Sequence, residues 1–221
     1  MKKLVFGLLL IGVIVACQSK KGEGTHGQPV GDALYLEDLL SVKNHDELIQ
    51  RFGSANVKKD TMIPGPEGTT LKGTLLFPGT DDQIEIYWEN DSTYQNLRNA
   101  RILAKFKDGE SMANFNTRWQ SRTGLKLGMP FVQVLELNEK PFIMMGLGWD
   151  YGGYISDWQN GKLDGKQLQV RFMEEGNSYD KLTQAEVDSV MGDRPVSAGF
   201  EPLKKIKLSV SELGIFVPVK E

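Results

Sequence analysis

The segment Gly146-Leu147-Gly148-Trp149-Asp150-Tyr151-Gly152-Gly153 puts two aromatic rings and a carboxylate side by side between glycines. In an extended strand, alternation sends Trp149 and Tyr151 to one face and Asp150 to the other. With Trp158, and with Trp119 as a further member, these rings would make an aromatic platform. The neighbouring glycines would let a ligand or partner approach its backbone closely. A carboxylate beside such rings, at Asp150 or Asp157, is suited to a sugar or a cation. Used together, the same two carboxylates are the candidates for hydrolytic acid–base chemistry. The competing reading gives the rings to the core between sheet and helices, in a domain otherwise modest in large side chains.

Other chemistries find little support. The two histidines, His26 and His45, have no neighbouring His or Cys at ligand spacing, which argues against a zinc site, and both read as solvated surface. Gly146-Leu147-Gly148-Trp149 lacks the third glycine and the following helix of a dinucleotide motif. There is no G-x-S-x-G elbow, and a Ser–His–Asp set would have to recruit His45 from afar. The pairs Asp81-Asp82 and Glu174-Glu175 read as solvated turn residues. No catalytic residue, metal ligand or cofactor is assigned, and a non-enzymatic binding or scaffold module is expected ahead of a hydrolase using Asp150 and Asp157.

Short elements must position these residues. Pro130 suits the first turn of a helix carrying Phe131, Val134, Leu135 and Leu137 on one face, with Asn138 as its left-handed end and Pro141 preventing continuation. Residues 142–153 then read as a strand, bulged at the glycines. Upstream, 34–52 predicts helix in two pieces with Asn44 as a cap and Gly53 as a stop. Alternation predicts strands at 57–63, 69–77, 83–88 and 97–106, whose short connections favour antiparallel neighbours. Downstream, 154–158 and 168–172 read as strands around a turn at Asn160-Gly161. Thr183-Gln184-Ala185-Glu186 reads as a capping box opening a helix that Gly192 stops. One or two strands at 206–208 and 214–219 complete the chain. The expected fold is α+β, an antiparallel sheet with short helices packed on one face.

The N-terminus gives the most specific signal. Met1-Lys2-Lys3 is basic, and residues 4–15 form an unbroken apolar run too short to span a bilayer comfortably. It ends in Ile14-Val15-Ala16-Cys17, which resembles the lipobox of bacterial lipoproteins. The competing readings are an ordinary secretory leader with an incidental cysteine, or an uncleaved anchor helix. The resemblance implies cleavage after residue 16 and attachment of diacylglycerol to Cys17, often with acylation of the new amino group by a palmitate-like chain. Two or three acyl chains hold a protein stably to a bilayer, at about 0.8 kcal/mol per buried methylene. Because Cys17 is the sole cysteine, no internal disulfide is expected. Residues 17–33 are polar and glycine-rich, the composition of a flexible tether, and 34–221 form the globular part. The leader holds two of the 26 basic residues and none of the 29 acidic ones, so the processed chain carries 24 − 29 = −5. That charge argues against general nucleic-acid binding. Gln18 rather than Asp follows Cys17, and no acidic run comes after it. By analogy this favours the outer membrane and its periplasmic face, with an envelope protein or polymer as partner.

Three segments, DELIQRFGSANV, FVQVLELNEKPF and AEVDSVMGDRPV, share a short helix, a Gly or Asn break and a return to extended chain. They leave open two or three degenerate helix–strand repeats, with a boundary near 107–123. Leu127-Gly128-Met129 leading into Val134-Leu135, then Asn138 and Pro141, resembles the G-M-T…V…G-x-P pattern of the outer-membrane assembly lipoproteins SmpA/OmlA, which share a helix–helix–sheet unit with beta-lactamase inhibitory protein. Pro130 stands where that pattern has threonine, and Asn138-Glu139 where it has glycine. The resemblance implies a binder or scaffold rather than a catalyst.

Overall fold

Alternating apolar residues at Ile84, Ile86 and Trp88, and at Ala100 and Ile102, build a sheet with one buried face. The computed structural model describes residues 32–106, 113–176 and 178–218. The leader, Cys17, His26, most of the tether and residues 107–112 within the expected repeat boundary lie outside them. In chain order the elements are β1 (Leu34–Tyr35), a 3-10 turn (Leu36–Ser41), α1 (His45–Phe52), β2 (Val57–Pro64), β3 (Thr70–Leu76), β4 (Ile84–Asn90) and β5 (Gln95–Leu103). There follow β6 (Lys105–Phe106), β7 (Ala113–Asn114), β8 (Trp119–Gln120), α2 (Phe131–Asn138), β9 (Ile143–Met145) and β10 (Ile155–Asp157). The last are β11 (Leu168–Glu174), α3 (Gln184–Val190), β12 (Pro195–Ser197), α4 (Glu201–Lys205) and β13 (Leu208–Phe216).

The fold is α+β. Its main sheet has six antiparallel strands in the order β11-β13-β5-β4-β3-β2, and a smaller antiparallel sheet runs β10-β9-β12. One hydrophobic core joins the buried sheet face to Leu36 and Leu39 of the 3-10 turn, Leu48 of α1, Phe131 and Val134 of α2, Val190 of α3 and Leu203 of α4. Phe131 meets Phe142 and Phe172 edge-on at ring distances of 5.6 and 5.3 Å, and Phe142 stacks on Phe172 at 5.9 Å. Contacts of this kind add about 0.5–1.5 kcal/mol per pair beyond area burial. The outer strand β2 is protected against edge pairing by Lys58 and Lys59, an irregular register between Asp60 and Ile63, and Pro64 at its end.

Helix ends follow their capping residues. The Asn44 side chain accepts the Glu47 N–H at 3.0 Å, and Gly53 closes α1 with a φ of 82°. At α3, Thr183 and Glu186 form a reciprocal box. Other expectations are corrected. The left-handed residue after α2 is Glu139, whereas Asn138 stays helical and fully buried. Its amide N–H groups donate to the carbonyls of Lys140 and Trp158 at 2.8 and 3.1 Å, and its oxygen accepts the Leu163 N–H. Gly161 packs on this amide so closely that a Cβ would lie 2.2 Å from it. Asn160-Gly161 therefore sits in a loop clamped to α2, not in a hairpin, and β10 pairs with β9 rather than β11. The two C-terminal fragments are one continuous strand, β13, in the interior of the sheet.

His45 is buried, with Nδ1 3.0 Å from the Thr74 hydroxyl, which also accepts the Trp88 indole N–H at 3.0 Å. Desolvation, then the charge of Lys59, lower its pKa, against a smaller opposing effect of Asp46. Asp82 is no solvated turn residue either. It accepts the N–H and guanidinium of Arg118 at 2.7 and 2.6 Å and the Thr117 hydroxyl at 3.0 Å. Burial opposes its charge, but these donors prevail and hold it below the usual carboxylate range. Glu174 ends β11 and accepts the Tyr179 hydroxyl, while Glu175 pairs with Lys207 at 2.6 Å.

Candidate functional site

Antiparallel register decides what the uncovered face of the main sheet carries. Glu85 of β4 stands opposite Arg101 of β5, which stands opposite Gly214 of β13. Pleating puts them on the side away from the core, together with Tyr87, Asn99 and Glu212. Gly214 is required: a Cβ there would approach the Ala100 carbonyl to 2.8 Å and the Arg101 Cβ to 3.1 Å. Arg101 therefore lies across β13 and β4 and bridges two buried carboxylates. Its Nε donates to Glu85 Oε2 at 2.9 Å, and one terminal nitrogen is 3.5 Å from Glu212 Oε2. The other terminal nitrogen donates to the Tyr87 hydroxyl at 3.0 Å, which itself donates to Glu85 at 2.7 Å.

Glu212 is the more enclosed carboxylate. Oε2 accepts the Tyr154 hydroxyl at 2.6 Å and Oε1 accepts the Gln169 amide at 2.8 Å. Gln169 is held in turn by the Asn99 amide at 2.7 Å. Burial opposes the charge of Arg101, yet Glu212, Tyr87 and Glu85 hold its pKa above the ordinary value. Tyr87 and Tyr154 are pushed up, first by burial and then by Glu85 and Glu212 respectively. Both phenols stay protonated at neutral pH and act as donors.

Two arms rise from this floor and share a cleft of 420 Å³. One is the loop from Gly146 to Gly153. Gly153, at a φ of 82°, lies so near the Phe172 carbonyl that a Cβ would sit 2.2 Å away, and Arg171 Nε donates to the Gly152 carbonyl at 2.8 Å. These contacts pin the loop to β11. The Trp149 indole N–H is spent on the Gly146 carbonyl at 2.9 Å, and its ring meets Tyr151 edge-on at 5.3 Å. The other arm is the β2–β3 tip, where Pro64, Gly65, Glu67 and Gly68 line the cleft. Gly73 lets β3 pass close against β4 below this tip, since a Cβ there would lie 2.5 Å from the Ile86 carbonyl.

Of the residues singled out from the sequence, Trp149, Asp150 and Tyr151 line this cleft together, on a turn rather than a strand, because β9 ends at Met145. Asp150 is exposed, and Tyr151 is 42% exposed. Trp158 is buried edge-on against Phe142 at 5.7 Å, and Trp119 is buried with its indole N–H on the Asp82 carbonyl at 3.0 Å. Asp157 does not line the cleft; its carboxylate accepts the Gln159 N–H and side-chain amide at 2.7 and 2.6 Å. Sequence reasoning missed Arg101, Glu212, Tyr154, Arg171 and Glu67. The available signal was the shared polar phase of Glu85 and Tyr87 with Asn99 and Arg101 on two expected neighbouring strands.

Among the described residues, no group of three or more His, Cys, Asp or Glu side chains is placed to hold a metal ion, and no helix is long and apolar enough to cross a membrane. No protein-family model matches the chain, and no curated protein or solved structure matches it significantly.

Proposed function

We propose that the chain is a bacterial envelope lipoprotein, anchored through acylated Cys17 to the outer membrane on its periplasmic side, and that it is a non-enzymatic binding module. Its partner docks in the cleft between the Trp149–Tyr151 loop and the β2–β3 tip. The observation that carries this reading is the floor: each buried carboxylate is held by Arg101 and by a tyrosine hydroxyl that stays protonated. Such a network fixes a shape and is poorly suited to shuttling protons. Of the two carboxylates a hydrolase would use, Asp150 lines this cleft and Asp157 does not. The rim instead offers rings and adjoining carboxylates, side chains suited to recognition.

Anchoring is tested by labelling cells with a palmitate analogue: wild type should incorporate label and sediment with membranes, and Cys17→Ser should do neither. Docking is tested with a photo-crosslinking side chain at position 151, at 67 on the opposite wall, and at the exposed Val132 outside the cleft. The same adduct from 151 and 67, with none from 132, supports the cleft. Absence of adducts from both walls refutes it.

A further inference from the structure

Resting on that reading of the cleft, we infer that its occupant is a basic segment of a partner protein, seated by an arginine or lysine side chain between Glu67 and Asp150 and against the Trp149–Tyr151 rings. Three carboxylates, Glu67, Asp150 and Glu212, and two guanidinium groups, Arg101 and Arg171, line the cleft. Both cations are committed: Arg101 bridges Glu85 and Glu212, and Arg171 donates to the Gly152 carbonyl. The exposed charges left on the two walls are Glu67 and Asp150, and neither meets a cation among the described residues.

The floor already shows the arrangement that the rim lacks. Arg101 lies over the Tyr87 ring at 5.3 Å beside Glu85, and Arg171 lies over the Tyr154 ring at 5.0 Å beside Glu212. At the rim, Tyr151 and Trp149 stand beside Asp150, and among the described residues no cation lies over either ring. Because the Trp149 indole N–H is already used, that ring offers its π surface rather than a donor. A cation on such a surface, with a carboxylate on either side, is attracted by both. An anionic ligand would meet like charge at each wall.

The test uses the intact lipoprotein and a hexa-arginine peptide, with hexa-glutamate and a neutral oligosaccharide as comparison probes, read by tryptophan fluorescence and calorimetry. Trp149 is a suitable reporter because Trp88, Trp119 and Trp158 are buried. The arginine peptide should bind saturably, lose affinity with added salt, and bind about tenfold more weakly to Glu67→Gln/Asp150→Asn. Hexa-glutamate should not bind. Glu136→Gln/Asp180→Asn removes the same charge from exposed positions outside the cleft, and its affinity should stay within about twofold of wild type. All replaced residues are exposed, so melting curves should coincide with wild type. Equal affinity in the cleft variant, or equal loss in the two double variants, overturns the inference. Oligosaccharide binding that Tyr151→Ala abolishes, with no response to the arginine peptide, also overturns it while leaving the docking cleft standing. Loss of crosslinking from both walls removes the cleft itself.

Discussion

Replacing Arg101 by methionine keeps most of its aliphatic bulk and removes the cation that bridges Glu85 and Glu212. The Glu85 and Glu212 side chains are 12% and 2% exposed, and that of Arg101 is 16% exposed, so water replaces little of what is lost. Removing one member of a buried ionic group leaves uncompensated charge, at a cost of about 3–5 kcal/mol. Here two carboxylates lose the same partner, which places the expected loss toward the upper end of that range. For a globular part of this size it corresponds to a drop of about 6–20 °C in Tm. Urea unfolding followed by tryptophan fluorescence measures it, with the midpoint falling and the slope unchanged. The double variant Arg101→Met/Glu212→Gln should be less destabilised than the sum of its parts, because glutamine removes one of the stranded charges while still accepting from Tyr154. A loss for Arg101→Met of under about 1 kcal/mol would mean that the network is solvated like a surface pair, and the picture of a rigid buried floor would be wrong.

Three further outcomes follow from the same physics. Trp158→Ala should cost about 3–5 kcal/mol because it empties a core site against Phe142, whereas Tyr151→Ala should change stability by no more than about 0.5 kcal/mol; urea midpoints decide. Asn138→Ala takes the side-chain partner from the Lys140 carbonyl and the buried Leu163 N–H, while the Trp158 carbonyl keeps the Gly161 N–H; it should cost about 1–3 kcal/mol, with faster hydrogen exchange at Leu163 as the local signature. The folded-state pKa of His45 lies below its unfolded value, so the unfolded chain binds the extra proton as pH falls. The stability tied to neutral His45 is fully present above the unfolded value near 6.5 and is lost as pH falls toward the folded one. A urea series across that window should show the fall in wild type and its absence in His45→Gln.

Sequence pattern predicted the local parts of the fold well, and the reasons are local too. Asn44, Gly53 and Thr183 act within one turn of their own helix ends, so their residue types suffice. The strands from 57 to 106 follow from alternation and short connections. Sequence pattern divides β13 because Ser209, Ser211 and Glu212 look like interruptions between its two apolar ends. In the fold, Glu212 is satisfied by Arg101, Tyr154 and Gln169, and Gly214 makes room for Arg101. The partners come from strands distant in sequence and leave no trace in a local window. His45 and Asn138 misled for the same reason, being polar residues whose burial is compensated by Thr74 and by the 158–163 loop. Of the site, one wall was legible in Trp149-Asp150-Tyr151, while the floor and the Glu67 wall required the register of the sheet.

The position of β13 also sets the order in which the molecule can be completed. Synthesised last among the described strands, it lies between β5 and β11, which come from separate earlier parts of the chain. Until it arrives, β5 is a long open edge, β11 lacks its main partner, and Arg101 has no Glu212 to meet. Late closure of such non-local pairings slows folding and exposes strand edges on the way. A chain stopped at residue 207 should therefore fail to fold and should aggregate, which light scattering would show, whereas the full-length chain stays monodisperse. The nine-residue strand β13 is thus the closing step of assembly, and until it inserts the floor of the cleft is unfinished.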